Sequence, residues 1–232
     1  EGMVLGDIWG LQFDRFLTED DFNADGSLKA GLPDQTKVFP AGYQFAPGDV
    51  LYKDLDNNGE IVKQTNTNDK GDLSVIGNAL PRLQFGLNLD AAWKGFDISM
   101  FFQGVAKRKL WAAGNQVLPG FTTGEPFYKG AEDYWTPENT DAFYPRPMDY
   151  KQSASGNYSV NDRYLLNMAY LRLKTFTVGY SLPKVWLSKF KVQGLRVYFT
   201  GENLFTIDGV KPAIDPEIGI RTASGKSDQR NF

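Results

Sequence analysis

Leu83-Gln84-Phe85-Gly86-Leu87-Asn88-Leu89-Asp90-Ala91-Ala92-Trp93, then Lys94-Gly95, then Phe96-Asp97-Ile98-Ser99-Met100-Phe101-Phe102-Gln103, is the stretch whose reading decides the fold. Apolar residues recur at every second position from Leu83 to Trp93, which is the period of a strand with two unlike faces. Lys94-Gly95 reads as a two-residue turn, because glycine adopts positive φ without a steric penalty. Alternation resumes at once with Phe96, Ile98, Met100 and Phe102 against Asp97, Ser99, Phe101 and Gln103. Residues 83–103 are therefore a β-hairpin whose apolar faces share one side.

Working outward, Tyr170 to Tyr180 carries Leu171 and Leu173, then Phe176, Val178 and Tyr180. The parity slips by one between 173 and 176, as a β-bulge produces. Residues 195–206 place Leu195, Val197 and Phe199 opposite Arg196, Tyr198, Thr200 and Glu202. Val4 to Phe16 reads as a further strand with unresolved faces, making about five strands, with one more unaccounted for. The connections are lopsided: residues 17–81 and 105–160 are long, polar and rich in Gly, Pro, Asn and Asp, whereas Lys94-Gly95 is minimal and 182–194 modest. Loops of that length sit poorly in a compact soluble domain. They suit a transmembrane β-barrel, which has short turns at one end and long loops at the other. A soluble β-sandwich gives the same alternation. The loop asymmetry and the aromatic strand ends Trp93, Phe96, Tyr180 and Phe205 favour the barrel.

Composition narrows the chemistry. The chain of 232 residues has 25 Lys+Arg against 28 Asp+Glu, a net charge of -3, which argues against a nucleic-acid partner. It contains no cysteine and no histidine. Disulfides, thiolate chemistry, imidazole metal sites and a Ser-His-Asp triad are excluded with them. No apolar run approaches the roughly 20 residues of a spanning helix. Glu1-Gly2-Met3-Val4 lacks both a start methionine and a signal-peptide pattern, so the sequence reads as a processed product or a piece of a longer one.

A series of blocks runs through the chain, beginning with Val75-Ile76-Gly77-Asn78, Pro81-Arg82, Phe85-Gly86-Leu87-Asn88-Leu89, Lys94-Gly95-Phe96-Asp97-Ile98-Ser99 and Phe101-Phe102-Gln103-Gly104. Further along come Asp133-Tyr134-Trp135-Thr136-Pro137-Glu138-Asn139, Tyr144-Pro145-Arg146 and Tyr170-Leu171-Arg172-Leu173-Lys174. Gly179-Tyr180, Leu182-Pro183, Arg196-Val197-Tyr198 and Gly201-Glu202-Asn203-Leu204-Phe205-Thr206 complete the series. In content and order these blocks resemble the SusC/RagA-type TonB-linked outer-membrane transporters. The resemblance implies an all-β fold: the C-terminal strands and long extracellular loops of a large antiparallel transmembrane β-barrel of roughly 22 strands with a plugged lumen. Residues 1–232 would be a partial C-terminal barrel region, with the plug domain, the TonB-contacting segment and the terminal strand outside this chain. Phe232 follows Ser227-Asp228-Gln229-Arg230-Asn231, which shows no alternation, so it is read as a stop and not as the terminal strand. The resemblance also implies nutrient import, of glycans or peptides, with a SusD-like surface lipoprotein, TonB and outer-membrane lipid as partners, in the bacterial cell outer membrane.

The sharpest local motif is Asp54-Leu55-Asp56-Asn57-Asn58-Gly59-Glu60-Ile61. Oxygen ligands at alternate positions before a turn-making glycine match the first half of an EF-hand loop, with Asp54, Asp56 and Asn58 offering side chains and Glu60 its carbonyl. Position 12 should be a carboxylate, yet Thr65 stands there. By the family resemblance Asp72 takes that place after an insertion over Val62 to Lys70. Ca²⁺ or Mg²⁺ is the ion such a loop would hold, and the competing reading is a polar turn closed by Asx bonds. Phe127 to Tyr150, with Tyr134, Trp135 and Tyr144, reads either as a glycan platform or, with more support, as loop packing. Asp133, Glu138 and Asp141 as a glycosidase pair have no fixed separation to support them, so no catalytic residue is assigned and the chain is not read as an enzyme. Asp90, Asp97, Arg172, Lys174, Arg196 and Glu202 are expected to bond across the wall interior. The alternative to a transporter is a soluble calcium-dependent carbohydrate-binding β-sandwich. The barrel reading puts Leu87, Leu89, Ile98, Met100, Val197 and Phe199 in lipid, both short turns in the periplasm and both long loops outside.

Overall fold

The computed structural model describes residues 4–66, 69–114, 117–120, 129–148, 156–210 and 214–217. In chain order its strands are β1 (Asp7–Gly10), β2 (Phe13–Phe16), β3 (Val50–Tyr52), β4 (Lys63–Asn66), β5 (Asp69–Gly71) and β6 (Ser74–Asn78). Then follow β7 (Leu83–Trp93), β8 (Phe96–Ala106), β9 (Lys109–Leu110), β10 (Leu166–Asn167), β11 (Tyr170–Ser181) and β12 (Arg196–Asp208). A single α-helical turn, α1 (Lys184–Leu187), lies between the last two. The four long strands make one antiparallel sheet in the order β12-β11-β8-β7. Each has 11 to 13 residues, enough to cross a bilayer when tilted.

Lys94 (φ 48) and Gly95 (φ 89) both take positive φ, the type I′ pattern that matches strand twist. The register then aligns apolar residues row by row. Leu89 pairs with Met100 and Met100 with Phe176; Ala91 pairs with Ile98, Ile98 with Val178 and Val178 with Phe199. Trp93, Phe96, Tyr180 and Val197 form the row at the turn end. Directly paired residues project to the same face, so one face of the sheet is apolar across all four strands. The other carries Asn88 and Asp90, Asp97 and Ser99, Thr175 and Thr177, and Thr200 and Glu202. The parity slip is a bulge: the register of β11 shifts between Leu173 and Thr175 against both neighbours, and Asn203 on β12 has φ 51.

Both short connections sit at one end of this sheet, where the Ser181 amide donates to the Gly95 carbonyl at 2.8 Å. Both long connections leave from the other end, and they are not extended loops. β1 pairs with β6, β2 with β3, β4 with β5 and β9 with β10. A first core gathers Leu11, Phe16, Val38, Phe39, Val50, Tyr52 and Ile61 from the early region with Trp135 and Ala142 from residues 105–160. A second joins Leu118, Tyr144, Tyr158, Tyr164, Leu166 and Met168. The two connections thus fold into a shared cap.

This cap corrects the reading of Val4–Phe16 as a wall strand. The segment divides into β1 and β2, whose partners β6 and β3 belong to the cap. Leu11 between them is fully buried in the first core and bridges to Asn161. The wall therefore has four strands among the described residues, not about five. Ser227–Phe232, Phe127, Tyr128 and Tyr150 lie outside the described residues.

Candidate functional site: the polar wall face and the acidic loop

The polar face of the sheet is tied together by its own side chains. Arg196 Nε donates to Asp97 Oδ1 at 3.1 Å, linking β12 to β8 across β11. The strand between them must be bare for this to happen. A Cβ on Gly179 would lie 2.7 Å from the Arg196 guanidinium and 2.8 Å from the Asp97 carboxylate. Thr177 and Thr200 hydroxyls meet at 3.0 Å. Toward the cap, Arg172 Nε donates to Thr206 Oγ1 (2.7 Å), Nη2 to Asp215 Oδ1 (2.7 Å) and Nη1 to Glu217 Oε2 (2.9 Å). Lys174 Nζ reaches the same Glu217 oxygen at 2.7 Å. Four of the six charges read from the sequence as wall-interior thus pair, Asp97, Arg172, Lys174 and Arg196, while Asp90 and Glu202 lie in register with Ser99 and Thr175.

The acidic loop is built by backbone amides. Asp54 accepts from the amides of Gly59 (2.7 Å) and Asn58 (3.3 Å). Asp56 accepts the Asn58 amide at 3.1 Å and Asn58 Nδ2 at 3.0 Å, while Asn58 Oδ1 accepts the Glu60 amide at 2.8 Å. Asn57 (φ 58) and Gly59 (φ 85) make the reversals that fold the loop inward. Asp72, fully buried, accepts from Leu55 and Val62, each at 2.8 Å, and so holds the two ends of the loop together. One carboxylate oxygen each from Asp54, Asp56 and Asp72 fall within 4.8 Å of one another. Desolvation is the largest influence on the Asp56 carboxyl and pushes it up, and the hydrogen bond with Asp54 and the charges of Asp72 and Asp54 add to it against the Asn58 amide. Asp54 is also raised by desolvation, but the amides of Gly59, Asn57 and Asn58 outweigh this and hold it low. The donor set is hard oxygen, as Ca²⁺ or Mg²⁺ requires. The Glu60 carboxylate is turned away, onto Lys37.

No protein-family model matches the chain. It is 29% identical over 238 residues to TonB-dependent receptor P3 of Formosa agariphila, covering 100% of this chain and 20% of that protein. It is 25% identical over 210 residues to TonB-dependent receptor SusC of Bacteroides thetaiotaomicron, covering 86% of this chain and 20% of the relative. The structure overlays on the RagAB peptide transporter with a TM-score of 0.56 at 18% identity, over 90% of this chain and 20% of that one. The chain is a relative of the SusC/RagA-type TonB-linked outer-membrane transporters. It spans about a fifth of the length of these curated relatives. Its all-β fold is that of such a barrel's wall and loops, with the barrel not closed by these residues alone. The curated relatives are named as TonB-dependent receptors, and the structural neighbour as a peptide transporter.

Within this SusC/RagA-type framework the loop aromatics separate. Trp135 and Tyr144 are buried in the two cap cores, whereas Tyr134 is exposed. Asp133 accepts the Phe143 amide at 3.1 Å and Asn139 Nδ2 at 3.3 Å, a turn-closing role. Loop packing, and not a glycan platform, accounts for Trp135 and Tyr144. A cluster the sequence did not single out joins the two connections. Arg146 donates to both oxygens of fully buried Asp49 (2.8 and 3.2 Å), which also accepts from Asn157 Nδ2 (3.0 Å) and the Tyr43 hydroxyl (2.9 Å). Asn157 Oδ1 in turn accepts the Val50 amide at 2.8 Å. Burial and the Asp49 charge push the Tyr43 hydroxyl well above its ordinary value. Arg146 stands in the Tyr144-Pro145-Arg146 block, but its partner lies 97 residues away and no local spacing marks it.

Proposed function

We propose that residues 1–232 form the C-terminal barrel region of a TonB-dependent outer-membrane transporter. It imports glycans or peptides together with a SusD-like surface lipoprotein and couples to TonB through other parts of the polypeptide. The observation that carries this reading is the sheet itself: an unbroken apolar face over four strands, opposite a face of ion pairs and hydroxyls. In a closed barrel these become lipid and lumen faces. The cap then lies on the extracellular side and the two short turns in the periplasm. The test is to tag the intact protein in its host and extract it from envelopes. Extraction should need detergent, a surface lipoprotein should co-purify, and uptake of a labelled glycan or peptide should stop when TonB is deleted. A monomer released without detergent would favour the calcium-dependent sandwich instead.

The carboxylates of Asp54, Asp56 and Asp72 support a second, local element of this reading. Asp54, Asp56 and Asn58 would hold Ca²⁺ or Mg²⁺ through side-chain oxygens and Glu60 through its carbonyl, with Asp72 contributing while it closes the loop. Binding to the folded state alone stabilises by about 2.7 kcal/mol at a hundredfold excess over Kd. Calcium should therefore raise protection of the Asp54–Ile61 amides against hydrogen exchange in the intact protein, and Asp56→Ala should abolish the response. An identical exchange profile with calcium and with chelator would leave an Asx-bonded turn.

A further inference from the structure

The connection from Leu182 to Leu195 is too apolar on its surface for a turn that meets only water. Leu182 N bonds Leu195 O at 2.9 Å to close its base, and α1 with a following 3₁₀ turn (Ser188–Phe190) shapes the rest. Leu187 is buried and anchors the turn, yet Val185, Trp186 and Phe190 are 76%, 59% and 77% exposed. Three lysines, Lys184, Lys189 and Lys191, are interleaved with them, and no acidic residue occurs between Ser181 and Arg196. None of the three, nor Lys94 in the adjacent turn, makes an ion pair among the described residues; the nearest strand-end carboxylate, Asp97, is taken by Arg196. Lys94 Nζ instead lies 4.7 Å from the Trp93 ring.

The position completes the pattern. The strand-end row beneath this connection is Trp93, Phe96, Tyr180 and Val197 on the apolar face, with Phe96 and Tyr180 rings 4.4 Å apart. Aromatic rings at strand ends mark the depth at which hydrocarbon gives way to headgroups. Exposed Trp and Phe interleaved with lysines and without acids is the composition of a segment lying in that boundary, with rings at the acyl edge and ammonium groups among headgroups. Charge favours one occupant, since four unpaired cations match anionic headgroups and neither a cationic nor an apolar surface.

We propose that the 182–194 connection is an interfacial anchor that seats in the bilayer surface next to the Lys94-Gly95 turn and binds acidic phospholipid headgroups through Lys184, Lys189, Lys191 and Lys94. The proposal rests on the transporter reading, and its test separates the two. Intact transporter, with any native cysteines elsewhere removed, is nitroxide-labelled at Trp186→Cys, at Phe190→Cys as a second site, or at Val197→Cys on the wall. It is then reconstituted into nanodiscs of phosphatidylcholine with or without phosphatidylglycerol. Collisions with oxygen and with a water-soluble nickel chelate report depth. The anchor predicts oxygen-rich, nickel-poor signals at 186 and 190 in phosphatidylglycerol discs. In pure phosphatidylcholine, and after Lys184→Glu/Lys189→Glu/Lys191→Glu, nickel access should rise several-fold. If 197 reads as lipid while 186 and 190 are nickel-accessible in every disc, the anchor is wrong and the transporter reading stands. Burial of 186 and 190 that does not depend on headgroup charge would also overturn it, pointing to a protein surface as the occupant. If 197 itself is nickel-accessible, the wall assignment fails, and the anchor with it.

Discussion

In the four-stranded sheet, Leu89, Ile98, Phe199 and Val197 stand exposed on a face without any partner, and every residue of β7 is exposed. In the cap, Leu11, Leu17, Ile61, Leu118 and Met168 are fully buried, and even the charged Asp49 has no access to water. The two regions belong to one chain, yet one keeps its apolar residues outside and the other inside. The difference lies in what each must meet. Cap residues close on one another across the two connections, as in a water-facing domain. Within the sheet the inner strands are paired on both sides and the polar face is tied by Asp97–Arg196 and Thr177–Thr200, and on the proposed reading the apolar face is left for lipid. A core that is absent on one face of a regular sheet is here evidence about solvent.

The comparison breaks most visibly at Arg146. Removing it leaves the Asp49 carboxylate buried without its cation, which costs about 3 kcal/mol, the lower end of the usual range because 26% of the Arg146 side chain reaches water. Arg146→Ala should therefore raise hydrogen exchange at Val50–Tyr52 many-fold while leaving the β8 amides protected. Equal loss in both regions would mean that cap and sheet unfold as one.

Arginine substitutions sharpen the other side. Leu89, in the row with Met100 and Phe176, lies near mid-strand, where a charge in lipid costs roughly 2–4 kcal/mol. Val197 lies in the turn-end row, where the cost falls to about 0–1 kcal/mol. Outer-membrane assembly should fall in the order Asn88→Arg, mildest, then Val197→Arg, then Leu89→Arg, most impaired. Equal tolerance at 88 and 89 would remove the distinction between faces.

The smallest effect concerns Gly179. A methyl group there pushes apart an exposed, solvent-screened ion pair, partly offset by the gain of replacing glycine in a strand. A double-mutant cycle between Asp97→Asn and Arg196→Gln should give a weak favourable coupling in the native background and none after Gly179→Ala. Unchanged coupling would show that the pair does not depend on the bare strand.

The wall was legible because its information is local. Period-two alternation, the Lys94-Gly95 turn and the parity slip after Leu173 each lie within one strand or hairpin, and each reappears in the register. The cap was not, because its determinants are distant. β1 finds β6 some 65 residues away, and Asp49 finds Arg146 and Asn157 across 97 and 108. The strand reading of Val4–Phe16, made with its faces unresolved, therefore gave extended backbone but not what it pairs with. The acidic loop falls between these cases. Asp54, Asp56 and Asn58 interact at the spacing read from the sequence, whereas the clamp made by buried Asp72 on Leu55 and Val62 depends on the chain returning after β5.

The central claim is that one face of this sheet meets lipid and the other the polar lumen of the barrel, and labelling along β8 tests it most directly. Single cysteines at 97 through 102 of the intact protein in outer membranes would be challenged with a small, water-soluble maleimide. The account predicts a period of two, with Asp97, Ser99 and Phe101 positions labelled from the lumen and Ile98, Met100 and Phe102 positions protected by lipid. Uniform labelling of all six, or protection of the odd positions alone, would contradict it.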